Sequence, residues 1–253
     1  MPTATALRVE IERTLERRFP AALTPQPQTT YEVAASGIPA VDALLDGGFP
    51  VGAISEVTGP AFSGRTSLAL SFFAQRTREG QVCAWVDVND ALDPESAAAN
   101  GVSLRQLLWV RCKDADRVAN RKPWVQLDQA LKAVDLILQA AGFAAVVLDL
   151  GSTAAEHASR IPLATWFRFR QAAQRSRASL LVLGRMAYAQ SSAAVVLECE
   201  PESTAAKDVP VLSDFRFIVR RQRRRFSPTL SSGRKPPVST WSASGPWDIA
   251  RRA

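Results

Sequence analysis

The chain has 253 residues, of which 47% are hydrophobic and 22% charged, enough to bury one sizeable core and too few for two full catalytic domains. The chain has a single histidine, His157, so metal centres built from several histidines are disfavoured and Ser-His-Asp catalysis would depend on that one residue. Most hydrolase mechanisms are therefore disfavoured. The net charge of +7 is concentrated near the end of the chain. Such a positive field attracts polyphosphates such as DNA or RNA, with a solvated basic face as the plainer alternative. The candidate nucleic-acid-binding residues are Arg220, Arg221, Arg223, Arg224 and Arg225.

The cysteines and the apolar runs indicate the cellular compartment. Cys83, Cys112 and Cys199 lie far apart in apolar, strand-like stretches, which predicts buried free thiols and neither disulfides nor a zinc site. We find no leader pattern at either end and no apolar run approaching the roughly 20 residues that span a bilayer. We therefore expect a cytoplasmic, nucleoid-associated protein without membrane contact.

Residues 1–32 are predicted to form an N-terminal helix and a linker. The stretch from Ala6 to Phe19 has an incomplete apolar stripe among arginines and glutamates, typical of an amphipathic helix. Residues 20–30 hold three prolines with several Thr and Gln residues, which favours a linker. The helix is predicted to be a docking arm, and its candidate partner-binding residues are Leu7, Ile11 and Leu15.

Residues 33–220 are predicted to form an α/β core with a mostly parallel central sheet flanked by helices, because apolar strands alternate with helices of similar length. A short helix is expected after Pro39, ending at the Gly47-Gly48 pair. Strands are predicted at 53–58, 82–88, 144–149, 179–183, 193–197 and 215–219, and longer helices at 66–78, 123–142 and 162–177.

Residues 221–253 are predicted to be a basic, Pro/Ser-rich C-terminal tail. It contains Trp241 and Trp247, which are candidate aromatic anchors for a partner protein. Packing against the core is an equal alternative for both tryptophans, because Trp is common in cores as well as in interfaces.

The stretch between the predicted strand 53–58 and helix 66–78 has the spacing of a phosphate-binding loop, G-x-x-x-x-G-K-[ST]. In such loops backbone N–H groups and the helix N-terminus bind phosphate, the Lys reaches the terminal phosphates and the Ser/Thr holds magnesium. Here Arg65 replaces the Lys, and its wider, planar guanidinium predicts retained binding without fast turnover. The candidate nucleotide-binding residues of the loop are Gly59, Ser63, Gly64, Arg65, Thr66 and Ser67.

Thr66 and Asp149 are the candidate magnesium ligands. Asp149 follows the apolar residues 145–148, at the strand end where such folds carry a second magnesium-binding carboxylate. A turn-forming Asp is the structural alternative for this position. ATP and Mg²⁺ are accordingly the candidate cofactors.

With these residues in order, the chain over roughly residues 1–220 resembles the RecA recombinase family. The segment 36–52 resembles the lead-in to that family's first core strand, 59–66 its phosphate loop and 83–94 a nearly superimposable stretch. The resemblance implies that Asp93 and Pro94 contact adenine, and that the N-terminal helix docks on a neighbouring protomer.

Several positions depart from the family pattern. Asn89 stands where RecA enzymes carry the glutamate that activates water, and an amide cannot accept that proton. Asp90 is expected to point to the other face of the strand. Ser96 and alanines replace the aromatic that stacks on adenine, Arg185 lies where the family has an Asn-Gln pair, and residues 188–194 leave little room for a long DNA-binding loop.

A RecA-like core with these changes is similar to the ImuA-type mutagenesis proteins. That resemblance implies an accessory of DNA-damage-induced translesion synthesis that works with an ImuB-like Y-family polymerase homologue and an error-prone replicative-type polymerase. RecA itself is a further implied partner. Two alternatives stay open: a slow DNA-dependent ATPase or recombinase paralogue, and a regulator that caps RecA filaments.

Overall fold

The computed structural model describes residues 31–112, 123–202, 214–224 and 236–244, together with Glu10 and Thr14. The chain divides into two compact units, Met1–Thr30 and Tyr31–Ala253. Within the first unit Glu10 and Thr14 are helical, and the Thr14 hydroxyl donates a hydrogen bond to the Glu10 carbonyl at 2.8 Å. The candidate partner residues of this unit lie outside the described part of the chain, namely Leu7, Ile11 and Leu15.

The second unit alternates strands and helices. Its strands are β1 Val33–Ala34, β2 Phe49–Pro50, β3 Ile54–Thr58, β4 Cys83–Asp87, β5 Leu107–Arg111, β6 Ala145–Asp149, β7 Ser179–Gly184, β8 Ala193–Pro201, β9 Asp214–Arg224 and β10 Val238–Ser244. Its helices are α1 Pro39–Leu44, α2 Arg65–Arg78, α3 Pro94–Ala99, α4 Pro123–Ala140, α5 Ala155–Ala158 and α6 Leu163–Ser176. The predicted longer helices agree with α2, α4 and α6 to within two residues at each end.

Eight of these strands form one sheet in the order β10-β9-β8-β3-β7-β6-β4-β5. The strands from β8 to β5 pair in parallel, whereas β9 and β10 are antiparallel additions at one edge. The predicted α/β class with a mostly parallel sheet flanked by helices is confirmed. Parallel strands need helical crossovers that cover both faces, which explains why β3, β4, β6 and β7 are buried along their whole length.

Side chains from successive strand residues enter two different cores, one on each face of the sheet. Trp85 packs with α2 on one face, where its ring meets Phe73 edge-on at 5.5 Å between centroids. Val86, the next residue, packs on the other face with Trp166 and Phe169 of α6. Helices therefore hold the central strands rigidly from both sides, and the strand ends are fixed in position.

The carboxyl ends of the central strands lie side by side. Thr58 of β3 is in register with Gly184 of β7, and Asp149 of β6 is in register with Leu183 of β7. Ligands of open α/β sheets bind beyond this edge. The chain leaves the sheet at this edge in three places: into the phosphate-type loop after β3, after Asp149 of β6, and into Arg185 after β7.

We call the arginine-rich stretch Arg220–Arg225 the basic run, and its residues up to Arg224 lie on β9 and extend the sheet. The predicted boundary at residue 220 falls inside β9, which runs on to Arg224, and β10 pairs with β9 along its length. Side chains of β8 contribute to the pairing, because Arg220 forms an ion pair with Glu200 and the Gln222 amide donates a hydrogen bond to Glu198.

All three cysteines are buried and free. Burial raises the pKa of the Cys83 and Cys199 thiols to about 12 and that of Cys112 to about 11. The predicted free thiols are confirmed, and such high pKa values keep them in the unreactive thiol form at neutral pH. In the part of the chain that the structure describes, no helix is long and apolar enough to cross a membrane.

Candidate nucleotide-binding site

Residues 59–64 connect the buried strand β3 to helix α2 in a turn that needs two glycines. Gly59 has φ +147°, and a Cβ there would lie 2.1 Å from the Cys199 carbonyl oxygen. Gly64 has φ +85°, and a Cβ there would lie 2.7 Å from the Phe217 ring. Left-handed backbone and close neighbours exclude any side chain at both positions. The glycine spacing that predicts the loop is therefore a structural requirement of it.

The loop and the start of α2 form a site suited to an anion. Gly64 caps the 14-residue helix without a side chain, so the first backbone N–H groups stay available to a ligand. Ser63 is only 1% exposed, and among the described residues its hydroxyl finds no hydrogen-bond partner. A pocket of about 300 Å³ lies here, lined by Phe62, Ser63, Gly64, Arg65, Thr66, Ser67 and Phe217. All the predicted loop residues except Gly59 line this pocket.

Arg65 begins α2 with a half-buried side chain. The Arg65 guanidinium and the Asp149 carboxylate both lie close to Gly151. A Cβ added at Gly151 would be within 4 Å of both terminal guanidinium nitrogens and 3.0 Å from Asp149 Oδ1. Desolvation lowers the pKa of Arg65, partly offset by the negative charge of Asp149 and reinforced by the positive charge of Arg185. One guanidinium nitrogen is buried without a hydrogen-bond partner in the described structure. Arg65 thus provides a desolvated positive charge between the loop and β6.

Asp149 ends β6 as the sequence predicts and is 8% exposed. Its Oδ1 accepts a hydrogen bond from the Gly151 backbone N–H at 2.9 Å. Burial raises the pKa of Asp149 to about 6, with a further increase from the like charge of Asp87, and the Gly151 hydrogen bond and Arg65 oppose the rise. The carboxylate is therefore costly to hold ionised in the folded protein at neutral pH.

We expect Asp149→Asn to raise the free energy of unfolding by roughly 2 kcal/mol near neutral pH. The raised pKa of Asp149 means that the folded wild type holds a proton which the unfolded chain has lost, so its stability falls as the pH rises from about 4 to above 6. Urea unfolding on both sides of this range measures the difference. A variant that is equally destabilised at every pH would contradict the expectation.

The structure links Asn89 to the loop after β6. Its amide nitrogen donates a hydrogen bond to the Thr153 hydroxyl at 2.9 Å. Asp90, with φ +58°, directs its carboxylate to the guanidinium of Arg111 on β5, at 2.6 Å from Nε. Strand β4 ends at Asp87, so the strand alternation from which the direction of Asp90 is predicted does not reach it. The Asn89 amide is thus already engaged within the protein.

Asp93 and Pro94 start helix α3. The exposed Asp93 carboxylate accepts hydrogen bonds from the backbone N–H groups of Glu95 at 3.3 Å and Ser96 at 3.1 Å. Hydrogen bonds from Ser96 are the main cause of a lowered Asp93 pKa. Pro94 occupies the first turn, where its missing N–H costs nothing. Both residues have a full structural role as the cap of α3, and the adenine contact stays a prediction.

Glu56 is a functional candidate that the sequence reading does not single out. It lies in the middle of β3 and is 1% exposed. Its Oε1 accepts hydrogen bonds from the backbone N–H groups of Tyr188 at 2.5 Å and Ala189 at 2.9 Å. A charged residue within a short strand that is buried along its whole length is the signal that points to it. Glu56 ties the strand that leads into the phosphate loop to the connection that follows Arg185.

The basic residues of β9 are partly used within the fold. The Arg221 guanidinium donates to the Leu44 carbonyl at 2.8 Å and to Asp46 at 3.2 Å, which fastens α1 to β9. Arg223 donates to the backbone carbonyls of Gln190, in the β7–β8 connection, and of Ala193, the first residue of β8. Arg225 lies outside the described residues. Nucleic-acid binding by the basic run stays a prediction. For Arg221 and Arg223, a contact with nucleic acid would compete with these hydrogen bonds inside the protein.

Trp241 lies on β10 and packs on Phe217 with a centroid separation of 4.7 Å. It also contacts the core on the α2 face of the sheet. This arrangement corresponds to the packing alternative for Trp241. Trp247 lies outside the described residues.

The residues at this site fit a phosphate group better than they fit Mg²⁺. Thr66 is exposed at the pocket and Asp149 ends β6, which β7 separates from β3, so the predicted ligands are one hydroxyl and one carboxylate. The Asn89 amide already donates to Thr153, and the guanidinium of Arg65 lies near Asp149 beside Gly151. Mg²⁺ prefers octahedral oxygen ligands, and a nearby fixed cation opposes it. No group of three His, Cys, Asp or Glu side chains in the described ranges is arranged to hold a metal.

Comparison with known proteins agrees with this fold. The model of the RecA N-terminal domain family matches residues 4–159. Protein RecA of Ectopseudomonas oleovorans is 37% identical over 119 residues, which is 47% of this chain and 31% of the relative. Protein RecA of Crocosphaera subtropica is 32% identical over 140 residues, covering 55% of this chain and 37% of the relative. The matched part thus spans about a third of the length of these curated relatives. With the family model covering more than half of its residues, this chain belongs to the RecA N-terminal domain family.

Proposed function

We propose that this protein is a RecA-like accessory factor in DNA-damage-induced translesion synthesis and SOS mutagenesis, acting by protein contact and not by rapid ATP turnover. Membership of the RecA N-terminal domain family supports a role in DNA repair and nucleotide binding. The similarity to the ImuA-type proteins supplies the finer role. Its partners would be an ImuB-like Y-family polymerase homologue, an error-prone replicative-type polymerase and RecA.

One observation carries the proposal: the residue in the position of the catalytic glutamate is Asn89, and its amide donates to Thr153. A general base must accept a proton from the attacking water, and an amide engaged as a donor cannot do so. Arg65 supports the same conclusion, because a planar guanidinium does not reproduce the compact charge of the usual lysine. A phosphate loop with these two substitutions is suited to binding and poorly suited to turnover.

Contacts with partners are proposed for the N-terminal helix, through Leu7, Ile11 and Leu15. DNA contacts are proposed for the basic run and would be made first by arginines that the fold does not use. Arg216 of β9 is exposed and fits this condition better than Arg221, which is 90% buried at its side chain against α1. Salt-dependent binding to single-stranded DNA would measure this contribution.

Affinity capture of a purified ImuB-like polymerase homologue tests the proposed partnership. We expect the full chain to capture it with or without ATP, and the triple substitution of Leu7, Ile11 and Leu15 by alanine to weaken capture by about tenfold or more. The matched control replaces three exposed leucines of the second unit by alanine, Leu104, Leu136 and Leu163. Absence of capture by the wild type, or equal loss in both triple variants, would contradict the proposal.

Two other functions make different predictions. A slow DNA-dependent ATPase or recombinase paralogue would release phosphate faster when single-stranded DNA is added. A filament-capping regulator would lower strand exchange when added to preformed RecA filaments, whereas an accessory factor leaves strand exchange unchanged. Both are measured with the same purified protein.

A further inference from the structure

The charges around the phosphate loop suggest how a nucleotide is neutralised here. Arg65 starts α2, and Arg185 follows β7, whose last residue is in register with the strand end that begins the loop. Both guanidinium groups are therefore brought to the edge where the loop N–H groups are available. Arg185 is exposed, and Arg65 holds one buried nitrogen without a partner in the described structure.

A second observation points to a ligand at this place. Ser63 lines the pocket and is 1% exposed, and no described residue hydrogen-bonds its hydroxyl. Buried hydroxyl groups are normally satisfied, so an unpartnered one beside a free helix N-terminus indicates a missing acceptor or donor. A phosphate oxygen would accept from Ser63, from the helix N–H groups and from a guanidinium together.

The same surroundings disfavour a divalent cation. Thr66 and Asp149 offer oxygens at the predicted magnesium site, and the Arg65 guanidinium lies near Asp149 beside Gly151. The carboxylate of Asp87, in register with Asp149, already accepts hydrogen bonds from the Ala91 and Leu92 N–H groups. A guanidinium presents several N–H donors in a planar fork that matches phosphate geometry. Two such groups supply as much positive charge as one Mg²⁺ ion, from the protein itself.

We propose that this loop binds a nucleoside polyphosphate without a divalent cation, with Arg65 and Arg185 supplying the charge that Mg²⁺ supplies elsewhere. This rests on the nucleotide binding included in the proposed function. It assigns Arg185, at the end of β7, as a phosphate-binding residue of the site.

Calorimetric titration of the full chain with ATP, in Mg²⁺ and in EDTA at equal ionic strength, tests the inference. We expect the affinity of the wild type to agree within about threefold between the two solutions. Arg65→Lys, with its compact ammonium, should bind ATP at least about tenfold more tightly with Mg²⁺ than in EDTA. Arg185→Ala should weaken binding in both solutions, whereas Arg175→Ala, an exposed arginine of α6, should not.

A wild-type affinity that drops about tenfold or more in EDTA would overturn the inference. The absence of ATP binding in both solutions would also overturn the inference. The proposed accessory role would then still be tested separately, by the capture of the ImuB-like polymerase homologue. An Arg65→Lys variant that remains indifferent to Mg²⁺ would overturn the part assigned to Arg65. Unchanged affinity in Arg185→Ala would overturn the part assigned to Arg185.

Discussion

Replacing Glu56 by alanine is expected to lower the free energy of unfolding by about 3 kcal/mol. The substitution removes the acceptor of two buried backbone N–H groups, those of Tyr188 and Ala189, and leaves both without a partner. Each buried donor left unsatisfied costs about 1–3 kcal/mol. Urea unfolding of the two proteins gives the difference directly.

Glu56→Gln is the matched control, because its side-chain oxygen still accepts from the same N–H groups while the buried negative charge is gone. Burial raises the pKa of Glu56, opposed by those two backbone hydrogen bonds. The folded protein therefore holds a proton more tightly than the unfolded chain, and the contribution of Glu56 to stability falls as the pH rises through its folded pKa. We expect Glu56→Gln to be at least as stable as the wild type at neutral pH. Equal destabilisation by Ala and Gln would show that the hydrogen bonds are not the cause.

The second large effect is expected for Phe217→Ala, with a loss of about 3 kcal/mol. Phe217 is 6% exposed, and its ring lies between Gly64 of the phosphate loop and Trp241 of β10. Its removal opens a cavity where the antiparallel edge of the sheet supports the loop. The change is measured by urea unfolding.

Phe62→Ala provides the control for Phe217→Ala, since the same atoms are removed from a ring that is 93% exposed at the same pocket. A change within about 0.5 kcal/mol is expected for it, as for most surface substitutions. If both phenylalanine variants lost equal stability, the supporting role of Phe217 would be wrong.

The central part of the fold is predictable from sequence because its strands are buried on both faces. Residues such as 145–148 form an unbroken apolar run, and Asp149 marks the point where the chain leaves the sheet. The glycine loop is predictable for a similar reason: Gly59 and Gly64 have positive φ and close neighbours that exclude other residues. In these segments the residue types along the chain already match the burial and the backbone conformation that the folded structure requires.

The antiparallel edge is less visible in the sequence. Arg220–Arg225 has the composition of a solvated tail, whereas β9 runs to Arg224 and pairs with both β8 and β10. On β8, Glu200 pairs with Arg220 and Glu198 accepts a hydrogen bond from Gln222. Strand β5 is a half-exposed edge strand with a weak pattern, and the sequence reading does not predict it. Cross-strand partners are separated along the chain, so charge pairs of this kind cannot be read from one segment alone.

The role of Arg65 also depends on tertiary structure. The sequence reading identifies the substitution and predicts slow turnover, but the position of the guanidinium beside Gly151 and Asp149 follows from the register of β6 and β7. The same register brings Arg185 to the site. The candidate site thus combines a RecA-like phosphate loop with two arginines, Arg65 and Arg185, at the same edge of the sheet.

Steady-state phosphate release from ATP by the full chain, with Mg²⁺ and with or without single-stranded DNA, distinguishes a binding site from a working ATPase. We expect no release above the protein-free blank in either case, because Asn89 cannot accept a proton and Arg65 replaces the lysine. DNA-stimulated release that disappears in Arg65→Ala would contradict it and would identify the protein as a working ATPase.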